Sequence, residues 1–123
     1  MKIYISGKIT GLDNAKEIFD AAEKKVTETY QDAQIVNPMK LPHDHDKTWE
    51  SYMRDCLVEM MRCDTIYVLE NWEDSKGAKL EVALAIQLNF NIFGSDLIRL
   101  LPKIDNEKIR LIIDNEKLST VKG

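Results

Sequence analysis

The residue in this chain best placed to do chemistry is Glu81. A helix is predicted from about Lys76 to Asn89. At about 100° per residue, Glu81 falls in the middle of a stripe formed by Gly77, Ala78, Leu84, Ala85 and Leu88. Lys76, Lys79, Ala83 and Gln87 occupy the opposite side. A carboxylate on an inward stripe must be ion-paired, hydrogen-bonded or facing a cavity. Gly77 and Ala78, one turn earlier, leave room for a ligand beside it. A structural ion pair, or a helix rotated from this placement, is the competing reading.

Other candidates carry weaker signals. Asp55 shares its helix side with Tyr52, Glu59 and Arg62, opposite Met53, Leu57 and Met60, which reads as a solvated flank. Asp64 precedes a strand, at the wrong end of a sheet for a ligand, and suits a turn or cap. The loop Gly7-Lys8-Ile9-Thr10-Gly11 can present backbone amides to a phosphate, although it is neither a GxGxxG nor a P-loop sequence. Ser75, at the start of the Glu81 helix, offers a hydroxyl and free amides at a second anion site, or simply an N-cap. His43-Asp44-His45-Asp46 contains metal-ligand types, but alternate loop positions rarely reach one ion and no distant third histidine exists, so a turn over the pocket mouth is expected instead. Trp49, Tyr52 and Trp72 are semi-polar aromatics suited to stacking a base or closing an interface.

The elements that must position these residues alternate from the start of the chain. Residues 2–5 form a β-rich run ended by the two-glycine loop. Asp13 or Asn14 can cap a helix carrying Ala15, Phe19, Ala22, Val26 and Tyr30 at three- and four-residue spacing. Ile35-Val36 is a second strand stopped by Asn37-Pro38, and Thr48 can cap the next helix. Residues 65–69 form an apolar run of the kind covered on both faces, Ser75 caps the Glu81 helix, and residues 91–93 form a fourth strand. Residues 109–113 are a possible fifth. Strands separated by helices imply parallel pairing with right-handed crossovers. The expected fold is a three-layer, doubly wound α/β domain, flavodoxin-like or Rossmann-like, with four to five strands. Such sheets bind ligands beyond the carboxyl ends of their strands, where residues 6–12, 37–48 and 70–78 converge.

The 123 residues suffice for one domain, and 44% hydrophobic with 31% charged residues excludes wholesale disorder. We expect a core over residues 1–93 and a C-terminal extension over 94–123. A net charge of −4 argues against sequence-independent nucleic-acid binding. No apolar run approaches the ~18 residues of a membrane span, so a cytoplasmic protein without membrane or nucleic-acid partners is expected. Cys56 and Cys63 read as lying on one helix, roughly 10 Å apart. That exceeds the ~7 Å Cα limit for a disulfide, so both are expected to be reduced packing residues.

Three segments of the chain resemble the nucleoside 2-deoxyribosyltransferase-like superfamily, which includes 2'-deoxynucleoside 5'-phosphate N-hydrolases. They are Tyr4-Ile5-Ser6-Gly7-Lys8-Ile9-Thr10-Gly11, Asp55 ahead of Cys63-Asp64-Thr65-Ile66, and Ser75-Lys76-Gly77-Ala78-Lys79-Leu80-Glu81. Leu41-Pro42-His43-Asp44-His45-Asp46 and Trp72-Glu73-Asp74-Ser75-Lys76-Gly77-Ala78 resemble more closely a small family of uncharacterised phage and bacterial proteins assigned to that superfamily. The resemblance implies Glu81 as nucleophile, Asp55 as the carboxylate serving the leaving base, and Tyr4 beside the sugar. It implies Ser75 as a phosphate contact and Gly7 and Gly11 as loop glycines, with Lys8 and Thr10 standing where the hydrolases place a serine and an arginine. It also implies a homodimer or higher homo-oligomer, a small nucleoside or nucleotide as ligand, and no metal or cofactor.

The expected activity is therefore cleavage or transfer of the N-glycosidic bond of a 2'-deoxynucleoside or its 5'-monophosphate through a glutamyl-glycosyl intermediate. The alternative is a nucleotide-binding or sensing module of phage or bacterial origin that does not turn over. A structural or partner-binding domain is the third reading.

Overall fold

The computed structural model describes residues 1–43 and 48–94. Four strands, β1 (Lys2–Ser6), β2 (Gln34–Val36), β3 (Thr65–Val68) and β4 (Asn91–Gly94), alternate with three helices, α1 (Ala15–Thr29), α2 (Trp49–Met60) and α3 (Lys76–Gln87). Short 3-10 turns at Pro38–Lys40 and Glu70–Asp74 lead out of β2 and β3. The strands are all parallel in the order β2-β1-β3-β4. This is a three-layer, flavodoxin-like α/β fold. The expected strand at 109–113 and the extension after Gly94 lie outside the described residues.

Side-chain alternation along β1 builds the layers. Ile3 and Ile5 join Phe19, Ala22 and Val26 of α1 on one face, with Tyr67 and Leu69. Tyr4 points the other way, among Cys56 and Met60 of α2 and Ala78, Val82 and Ala85 of α3. From β1 the chain runs outward to β2, then crosses back to β3 on the other side, so the switch in strand order falls between β1 and β3. Ser6 and Val68, the last residues of those strands, are paired there.

Local signals account for most boundaries. Thr48 and Ser75 accept hydrogen bonds from the Ser51 and Ala78 amides (3.1 Å each), capping α2 and α3. Asn14 occupies the cap position of α1 without a side-chain bond. The Asn37 carbonyl oxygen accepts from the Met39 amide (3.0 Å), while its NH₂ donates to Asp20 and Glu23 of α1 (3.1 Å each), tying the end of β2 to that helix. Asp64 accepts from the Lys2 amide and the Thr65 hydroxyl, the turn role expected of it.

Three expectations need correcting. α3 ends at Gln87, so Leu88 lies past the helix and is 51% exposed instead of extending the inward stripe. The positive φ of Asn89 (57°) then turns the chain toward β4. Ala83, placed on the outer side, is buried: α3 is covered over more of its circumference than a single stripe allows. Cys63 follows the end of α2 at Met60, and its thiol donates to the Glu59 carbonyl (3.4 Å). Both cysteines are buried and unpaired, as the packing reading requires.

Candidate functional site

Glu81 is buried, 4% exposed, under the carboxyl end of β1. Tyr4 Oη donates to its Oε2 (2.6 Å) and Ser6 Oγ to its Oε1 (2.8 Å). The two donors are two residues apart on one strand, so they share a face and reach one carboxylate together. Burial pushes the Glu81 carboxyl up to about 7, while the two hydroxyl donors pull it back down. Tyr4 is raised well above the usual phenol range, by burial first and by the neighbouring Glu81 second, and remains a neutral donor.

A cavity of about 30 Å³ opens beside the carboxylate, lined by Tyr4, Gly7, Tyr52, Met53, Cys56 and Ala78 among others. It has room for about one water. Beyond it lies a wider groove of about 370 Å³ that carries Lys8, Glu50, Asp74 and Lys76. Thr10, Trp49, Ser75 and Gly77 line both spaces and form the partition between them. The Lys76 ammonium stands 4.2 Å from the Trp49 ring centroid and steadies that partition by a cation–π contact.

The loop after β1 is shaped by close approach. A Cβ at Gly7 would lie 2.6 Å from Leu69 Cδ1, so a larger residue there pushes the loop off β3. Gly11 has φ +81°, a conformation that glycine adopts freely. Between them the Lys8 amide donates to Asn71 Oδ1 (2.9 Å), anchoring the loop to the turn after β3, and Ile9 lines the inner cavity. Ser75 combines its capping role with a place on the wall of both spaces, at the amide-rich start of α3. Cys56 also lines the inner cavity, but burial pushes its thiol up to about 12, with Glu81 adding to the effect, so it is not a thiolate nucleophile.

Asp55 stands apart from the cavity lining. Its flank of α2 is not fully solvated as the periodicity suggested, because the loop after β2 lays His43 against it. His43 Nδ1 bonds Asp55 Oδ2 at 2.8 Å, and each side chain is only 23% exposed. The His43 ring stacks on Tyr52 (centroids 4.1 Å apart), and its Nε2 approaches the Pro38 carbonyl at 3.3 Å.

The fold thus gathers Tyr4, Gly7, Ile9, Ser75, Gly77 and Glu81 around one cavity, with Lys8 at its outer mouth. Gly11 shapes the loop, and Asp55 connects to the cavity wall through His43 and Tyr52. The sequence reading passed over Ser6 and Asn71 as site residues. Ser6 was legible as the same-face neighbour of Tyr4, whereas the Asn71 contact spans 63 residues and has no local signal. No group of three possible metal ligands occurs among the described residues, and Asp44, His45 and Asp46 lie outside them.

The fold and site together define a small parallel α/β domain with a buried carboxylate at its topological switch point. The chain belongs to the family described as Domain of unknown function (DUF4406), whose model matches residues 1–93. No curated protein and no solved structure matches it significantly.

Proposed function

We propose that the protein cleaves or transfers the N-glycosidic bond of a 2'-deoxynucleoside or its 5'-monophosphate. The observation that carries this reading is the Glu81 carboxylate, buried yet held by two hydroxyl donors, at the inner end of a cavity whose outer groove carries Lys8, Ser75 and Lys76. Glu81 attacks C1' and forms a glycosyl ester. The C1'–N bond breaks, and its electron pair leaves with the base, which takes up a proton. Water or a second base then displaces the ester, releasing free or transferred sugar and restoring the carboxylate. A cavity of about 30 Å³ does not hold a sugar, so on this reading the Trp49 partition moves and the inner and outer spaces join. The joined space falls within the ~300–1,000 Å³ of ordinary small-molecule sites. Lys8, Lys76 and the start of α3 then offer contacts to a phosphate at the 5' end of the ligand, opposed by the Glu50 and Asp74 carboxylates of the same groove.

The test is product formation. The protein is incubated with each deoxynucleoside and deoxynucleoside monophosphate, with and without an acceptor base, and free base is separated by chromatography. Base release by wild type, reduced at least about 10³-fold in Glu81→Gln, is the expected result. Because Glu81 acts ionised, kcat/KM should rise with pH through about 7 and level off above it. No release from any substrate by folded protein overturns the enzymatic reading.

A second reading, a nucleotide-binding module without turnover, is favoured by one observation: no second carboxylate lines the inner cavity among the described residues. Tight nucleotide binding that survives Glu81→Gln, with no product, supports it.

A further inference from the structure

Two buried polar side-chain atoms among the described residues have no hydrogen-bond partner, Tyr52 Oη and Trp72 Nε1. An unpaired buried donor carries a desolvation cost that a protein ordinarily avoids. Trp72 is packed in the apolar core between the sheet and α3. Tyr52 lines the cavity beside Glu81, where space remains next to its ring. Burial first, and the neighbouring Cys56 thiol second, raise the Tyr52 phenol well above its usual range, so the hydroxyl keeps its proton. A neutral thiol is a weak acceptor and leaves the donor without a well-formed bond.

Its ring is also braced from behind. His43 stacks on it with centroids 4.1 Å apart and 27° between planes, and Asp55 holds the His43 Nδ1 at 2.8 Å. Asp55, His43 and Tyr52 therefore form a chain that starts on the outer flank of α2 and ends at the cavity wall. We infer that the Tyr52 hydroxyl is a hydrogen-bond donor reserved for an acceptor atom of the bound nucleoside, a sugar oxygen or a base nitrogen or carbonyl, and that His43 and Asp55 are its positioning residues. This rests on the reading that the Glu81 cavity receives a nucleoside or nucleotide.

The test compares wild type, Tyr52→Phe, His43→Ala and the double variant, using the deoxynucleosides and their 5'-monophosphates as probes. Affinity is measured by calorimetry and thermal stability without ligand. Tyr52→Phe should lower affinity about tenfold while leaving Tm nearly unchanged or raised, because in the free protein the hydroxyl makes no well-formed hydrogen bond and has only the weakly accepting Cys56 thiol beside it. Affinity unchanged by Tyr52→Phe overturns the inference, and so does a Tm lowered by several degrees, which would reveal a structural partner. His43→Ala should weaken binding in the wild-type background and have little further effect in Tyr52→Phe, since it acts through that hydroxyl. Additive losses overturn the positioning role. If wild type binds none of the probes, the nucleoside reading fails, while the ligand-free Tm comparison still decides whether Tyr52 is a spare donor.

Discussion

The two faces of the sheet are made from the same strands and do different work. On the α1 face, Ile3, Ile5, Tyr67 and Leu69 meet Phe19, Ala22 and Val26 in an apolar layer. On the α2/α3 face the alternate residues of β1 are Tyr4 and Ser6, whose hydroxyls are both spent on Glu81. The apolar layer of one face is held by burial, with the Asn37 bonds to α1 at its edge. The other carries a carboxylate whose desolvation is only partly offset by its two donors, and space is left beside it. A period of two residues lets a five-residue strand serve both purposes, because adjacent side chains never compete for the same environment.

The largest effect that would sharpen this contrast is Phe19→Ala. It should destabilise the protein by about 3–5 kcal/mol, as loss of a fully buried ring does, measured by denaturant unfolding. In the molecules that remain folded, the pH midpoint assigned to Glu81 should stay near 7. A shifted midpoint would show the two faces to be coupled.

Next in size is the pH dependence of stability on the Glu81 face. The folded-state pKa, about 7, lies above the ordinary 4.5, so this group's contribution is fully present below pH 4.5 and is lost as pH rises through about 7. The shift corresponds to about 3 kcal/mol. Unfolding free energies measured from pH 4 to 8 should show wild type losing that much relative to Glu81→Gln. Parallel curves for the two proteins would mean that the carboxylate is as well solvated as in the unfolded chain.

The smallest effect comes from Ser6→Ala, which removes one donor from the ionised carboxylate. The Glu81 midpoint should move up by about one pH unit, read from the pH dependence of kcat/KM or of stability. Thr65→Ala, whose hydroxyl bonds Asp64 at the opposite end of the sheet, should leave that midpoint in place.

Much of the architecture was legible in the chain. The helices and strands follow from spacing and caps: Thr48 and Ser75 cap the helices they precede, and the alternation of strand and helix implies a parallel sheet. Glu81 stood out because a charged residue on an apolar stripe contradicts its surroundings. Asp55 shows where such reasoning ends. Periodicity placed it with Tyr52, Glu59 and Arg62 on an outer flank, yet Tyr52 lines a cavity and Asp55 holds His43. A helical wheel registers only the helix itself, and here a loop from elsewhere in the chain covers that side.

By itself, then, the sequence determined the order and type of the elements, the parallel sheet and the inward placement of Glu81, because each depends on periodicity and capping within a few residues. Only the tertiary structure decided which groups meet that carboxylate. Tyr4 and Ser6 reach Glu81 across 77 and 75 residues, Asn71 fixes the Lys8 loop across 63, and His43 joins Asp55 to Tyr52. Contacts at such separations are set by how layers pack and chain segments cross, and local propensity carries no record of them.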